Sequence, residues 1–165
     1  MAKRTAALAA LILIMVACTE IDDSRTPTYP VSIKLNSAAL WTTYGVSGLG
    51  DSRVFNKSKG LPKNYSYTAT TYTGYGGVLL VYGFDFTTQD YAPVAYDMSC
   101  PVENNTSALI AFDEDELDAY CSTCGSRYDV MWSAGSPTQG TAVDKKYGLT
   151  RYSVTSSNGG YIISN

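Results

Sequence analysis

Apolar residues along this chain come in short runs, and turn signals separate them. Tyr65-Ser-Tyr-Thr-Ala-Thr-Thr-Tyr72 alternates between aromatic and small polar positions. Gly77-Val-Leu-Leu-Val-Tyr-Gly83 is a compact apolar run closed by glycine. Tyr91–Tyr96, Ala108–Phe112, Arg127–Met131, Leu149–Val154 and Tyr161–Ile163 continue the series. Gly74, Asn104-Asn105, Gly125, Gly135-Ser-Pro137, Gly140 and Asn158-Gly-Gly160 punctuate it. Strand-length runs with regular punctuation predict an all-β antiparallel sandwich or barrel. No helical stripe is long enough to compete. Residues 36–64 carry the weakest pattern and are expected to form a long insertion with one or two strands. Asp113-Glu-Asp-Glu116 reads as a solvated hairpin turn, with a Ca²⁺ loop as the alternative, although the glycine and spacing of an EF-hand are missing.

The N-terminus breaks this pattern. Lys3 and Arg4 precede an unbroken apolar run from Ala6 to Val16. The run is short for a membrane span and has the layout of a signal peptide. It ends in Met15-Val16-Ala17-Cys18, which resembles a bacterial lipobox and implies cleavage before Cys18 and lipidation of its sulfur. Glu20, Asp22 and Asp23 follow, as in the export tether of Bacteroidetes lipoproteins. The expected organisation is a signal peptide over 1–17, a lipidated Cys and flexible tether over 18–30, and one β domain over 31–165. The expected location is the cell envelope, at the outer membrane and in reach of the cell surface, with the membrane as partner through Cys18.

Composition fits a β-rich domain, with 14 Tyr and 14 Gly in 165 residues. The alternating Tyr65, Tyr67 and Tyr72 are expected on a strand face, and Trp41 and Trp132 in core or rim packing. Net charge is −3 and the few bases are scattered, which argues against a nucleic-acid partner. There is no His at all, which excludes Ser-His-Asp and Cys-His catalysis and His-bound haem or copper. No Ser-Lys signature replaces it, so no catalytic residue stands out.

The remaining chemistry lies in three cysteines. Cys100 sits in Ser99-Cys-Pro-Val-Glu103, and Cys121 and Cys124 in Cys121-Ser-Thr-Cys-Gly-Ser-Arg-Tyr-Asp129. A CxxC turn followed by Gly-Ser can be half of a zinc or iron–sulfur site, a thiol–disulfide redox pair, or a structural disulfide. Under the last reading Cys121 pairs with Cys124 and Cys100 stays buried and free.

The order of these pieces resembles the Rieske [2Fe–2S] domain. That family has Cys-x-His in one loop and Cys-x-x-His-Gly-Ser in a second, which Cys100-Pro-Val102 and Cys121-Ser-Thr-Cys124-Gly125-Ser126 match in place. Tyr128-Asp129 matches the aromatic and small polar residue that follow, and Gly135-Ser-Pro137 with Gly140-Thr-Ala142 the third loop. Leu149, Tyr152 and Val154 and the Gly159-Gly160 hairpin match the closing strands. The resemblance covers residues 75–165 and implies an antiparallel β fold with cluster-binding loops.

Its ligand set is broken. Cys100 and Cys121 hold the two Cys positions, but Val102 and Cys124 stand where the two His belong. Val has no donor atom, and Glu103 is one residue out of place. The resemblance therefore implies a domain that has kept the fold, lost the [2Fe–2S] cluster and serves as a scaffold or binding module, with no cofactor. In the intact family the two Cys share one iron, so the resemblance also implies that Cys100 and Cys121 meet and close as a disulfide, leaving Cys124 as the odd thiol. Such a closure is worth about 3 kcal/mol in the chain-entropy model. The alternatives are electron transfer through an unusual cluster on Cys100, Cys121 and Cys124, and thiol–disulfide exchange by Cys121 and Cys124.

Overall fold

A computed structural model describes residues 20–165. The proposed signal peptide and Cys18 lie outside the described residues.

The chain is all-β. Its larger sheet takes strands β1 (Val31–Leu35), β2 (Ser52–Phe55), β3 (Tyr72–Thr73), β4 (Val78–Asp85), β5 (Asp90–Asp97), β10 (Arg151–Ser157) and β11 (Gly160–Ser164). They pair antiparallel in the order β2-β4-β5-β10-β11-β1-β3 and curl into a nearly closed barrel. Between β5 and β10 the chain builds a second sheet, a meander of β6 (Ile110–Asp113), β7 (Asp118–Cys121), β8 (Arg127–Asp129) and β9 (Ser136–Gln139).

The unbroken apolar run of β4 has a structural cause. Val78 and Leu80 face a core inside the barrel with Ile33, Leu35, Phe55, Ala95 and Ile163. Leu79 and Val81 face the opposite way, into a core shared with the small sheet. Tyr96, Ile110, Tyr128, Val130 and Leu149 complete that second core. A strand buried on both faces needs apolar residues at every position, and its alternation disappears. By contrast, β1 keeps its alternation, with Val31, Ile33 and Leu35 buried and Lys34 exposed.

A buried carboxylate fixes the point where the chain leaves the barrel for the small sheet. Asp97 ends β5, is fully buried, and accepts hydrogen bonds from the N–H groups of Tyr75, Gly76 and Ser99 and from the Tyr152 hydroxyl. Burial holds it above the ordinary carboxylate range, against the pull of these donors. A Cβ on Gly76 would lie 2.3 Å from the Ser99 nitrogen, so the backbone passes there only as glycine.

Several sequence expectations need correction. Residues 65–71 form an irregular loop, and only Tyr72–Thr73 is strand. Tyr72 lies on a strand as expected, but Tyr65 and Tyr67 pack as rings: Tyr65 meets Phe55, Tyr44 and Tyr67 edge-on at centroid distances of 5.4, 5.2 and 4.9 Å. Residues 36–64 hold one strand, β2, in line with the one or two expected there, but also a helix that was not expected, α1 (Ala38–Tyr44), capped by Ser37. Pro137, expected in a turn, lies in β9, the edge strand of the small sheet, where a missing N–H is tolerated. A second short helix, α2 (Thr141–Lys145), leads out of the small sheet. Trp41 packs on Tyr161 at 4.5 Å, whereas Trp132 is 43% exposed.

The described part of the expected tether lies along the domain. The Asp22 N–H donates to the Lys146 carbonyl, and Gly148 N–H donates back to Asp22. The Thr150 hydroxyl donates to the Asp23 carbonyl, Arg25 stacks over Tyr147, and Thr26 is buried. These ties use backbone groups and a cation–π contact, which a polar composition does not reveal.

Candidate thiol centre

The site is built from three loops at the junction of the two sheets. The first leaves β5. Cys100 N–H donates to the Ala108 carbonyl and Ile110 N–H to Met98, so β-type bonds close the loop at its base. Residues 101–103 form a tight turn in which Asn104 N–H reaches the Cys100 carbonyl at 2.7 Å. The second loop joins β7 to β8. Cys121 N–H bonds the Ser126 carbonyl and Gly125 N–H bonds the Cys121 carbonyl, both at 2.9 Å. Gly125 takes a φ of +70°, which side-chain-bearing residues rarely adopt. The third loop enters α2. A Cβ on Gly140 would stand 3.0 Å from the Gly125 carbonyl oxygen, so glycine lets the third loop rest directly on the second.

These loops bring Cys100, Cys121 and Cys124 together. Their three sulfurs lie within 4.8 Å of one another. All three are free thiols, with Cys100 and Cys121 buried and Cys124 half-buried. Cys100 Sγ is 3.6 Å from Cys124 Sγ. Val102, at the family's first His position, is half-buried and packs against the apolar core beside these cysteines. The Glu103 carboxylate stands outside this cluster.

Two residues contact the sulfurs in a way that sequence reasoning did not foresee. The Tyr128 hydroxyl lies 3.5 Å from Cys100 Sγ, and Ser126 Oγ lies 3.2 Å from Cys124 Sγ. The Cys124 thiol donates to Ser126 Oγ, which also accepts the Ala142 N–H at 3.1 Å; once the thiol loses its proton, the Ser126 hydroxyl can turn its own proton to the sulfur. The available signal was the period of two: Ser126, Tyr128 and Val130 are buried, while Arg127 and Asp129 are not.

The thiols differ in acidity. Burial pushes Cys100 up to about 12. Burial also works to raise Cys124, but hydrogen bonds from the Ser126 hydroxyl and N–H and from the neighbouring thiols outweigh it, and its pKa falls below the ordinary thiol value. The Tyr128 hydroxyl is raised strongly, by burial first and then by the adjacent sulfurs, so it stays protonated and able to donate.

The acidic run Asp113–Glu116 sits at the β6–β7 turn, away from the sulfurs. Asp113 caps that turn through the N–H groups of Asp115 and Glu116. Arg127 spans Asp113 and Asp118 at 2.6 Å on the outer face of the small sheet.

No family model matches this chain, and no curated protein matches it. Among the described residues, no helix is long and apolar enough to cross a membrane.

Proposed function

We propose that this protein is an envelope lipoprotein whose Rieske-like domain has kept its fold, lost the [2Fe–2S] cluster and serves as a scaffold or binding module. The observation that carries the reading is the donor set at the loop junction. Three thiols converge, and the fourth position matching the family is Val102, an apolar side chain packed on the core. A Rieske cluster takes two Cys on one iron and two imidazoles on the other, so these residues do not fit it. The thiol–disulfide alternative gains little from the geometry. Cys121 ends a strand and Cys124 lies in a hairpin loop, without the helix N-terminus common in redox CxxC pairs.

Lipidation at Cys18 would hold the domain near the bilayer. Asp22 is fixed to the Lys146–Gly148 segment, and four extended residues span at most about 14 Å. The α2 end of the small sheet would then lie close to the membrane.

The test is visible absorbance with iron and acid-labile sulfide analysis on anaerobically purified full chain. The reading expects a colourless protein without sulfide. Two irons and two sulfides per chain contradict it. The Val102→His, Cys124→His double variant rebuilds the family's ligand pattern and is expected to gain colour when expressed with iron–sulfur assembly.

A further inference from the structure

We infer that Cys100, Cys121 and Cys124 bind a single thiophilic closed-shell cation, zinc, through three thiolates with one position left open. The inference deepens the cluster-free reading of this site and rests on it.

The first argument is spacing. Zinc bound tetrahedrally about 2.3 Å from each sulfur sets those sulfurs about 3.8 Å apart. Cys100 and Cys124 are already 3.6 Å apart, and Cys121 completes a group within 4.8 Å.

The second argument is the surroundings of the sulfurs. Cys100 faces the Tyr128 hydroxyl and Cys124 the Ser126 hydroxyl. Ser126 is oriented by the Ala142 N–H, as outer ligands of metal sites commonly are. Binding releases the three thiol protons to solvent, and three thiolates with Zn²⁺ carry one net negative charge. The two hydroxyl donors disperse that charge where burial would otherwise penalise it. Cys124 is half-buried beside the exposed Ser122, Thr123 and Gly125, so an ion reaches the sulfurs from this loop without the domain opening.

The fold supports a preformed site. The three cysteines come from two loops, each closed by backbone hydrogen bonds, and the third loop is seated on the second at Gly140. The binding energy then goes into holding the small sheet closed against the barrel.

The experiment uses the full chain in detergent, reduced, stripped with a chelator, and titrated with Zn²⁺ against a chromogenic competitor. One ion per chain is expected. Co²⁺ in its place should give a thiolate-to-cobalt charge-transfer band of the intensity of three sulfurs. Cys124→Ala, at the half-exposed position and checked for folding by circular dichroism, should weaken Zn²⁺ at least about a hundredfold. Tyr128→Phe should weaken it about tenfold, as the loss of an outer hydrogen bond does. Glu103→Gln should leave it unchanged. A titration without saturable binding, or an affinity that Cys124→Ala does not move, overturns the inference alone. Two irons with sulfide in the isolated protein overturn it together with the cluster-free reading.

Discussion

The barrel and the small sheet solve the problem of burial differently. In the barrel, β4 and β5 each run for eight residues and fill both cores with Val, Leu, Ala and Tyr. In the small sheet the strands run three or four residues, and the inward positions of β7 are Ala119 and Cys121. Small side chains bury little area, so β7 gains less from water exclusion than β4 or β5, and Ile110 and Tyr128 carry the apolar burial of the small sheet. It is tied instead by the Arg127 fork to Asp113 and Asp118, by the seat of Gly140 on the β7–β8 loop, and by the sulfurs. The barrel supplies stability. The small sheet supplies chemistry and depends on specific ties, which is where a bound ion has most to add.

The comparison breaks first if the barrel core is not the main source of stability. Phe55→Ala removes a fully buried ring from the barrel interior. It should cost about 3–5 kcal/mol in denaturant unfolding. A loss under about 1 kcal/mol would mean that the barrel is not the stabilising part.

Metal removal sharpens the same contrast. With zinc chelated, hydrogen exchange should accelerate at Cys121 and Tyr128 in the small sheet and stay unchanged at Leu79 and Leu80 in β4, because local opening follows local stability. Equal acceleration in both regions would show one cooperative unit rather than two.

The junction gives a smaller, pH-dependent effect. The folded pKa of Asp97 is raised by burial, so the folded state holds this proton more tightly than the unfolded chain. Its contribution is fully present below the unfolded value near 3.8 and is lost as pH rises through the folded value. Asp97→Asn removes that loss. Its stability relative to wild type should therefore climb as pH rises above the unfolded value near 3.8, read by denaturant unfolding at each pH. Asp85 runs the other way: its pKa is lowered, as hydrogen bonds from Thr87 and Arg151 outweigh burial, so its contribution is lost as pH falls. A flat difference between wild type and Asp97→Asn would remove Asp97 from the account of the junction.

Much of the barrel was legible in the sequence because its pattern has one cause. Val78–Val81 reads as a strand whether one face is buried or two. The same rule misread Tyr65–Thr71, where Tyr65 and Tyr67 pack as rings and Lys57 Nζ donates to the carbonyls of Thr68 and Thr71, without a ladder partner; only Tyr72, paired with Ser32, is strand. Strand β7 went unread because Ala119 and Cys121 are too small to mark an apolar face. Helix α1 buries no residue fully, so it carries no apolar stripe; its one signal was the Ser37 cap. At the site, the cysteines and the missing His were visible from sequence. The hydroxyls of Ser126 and Tyr128 were not, because their approach to sulfur depends on how two loops pack.

The most direct test of the central claim is native mass spectrometry of the full chain purified anaerobically. The account predicts a mass increment of one zinc, less the protons that the thiols release, which disappears on treatment with a chelator. An increment of two irons and two sulfides would contradict it.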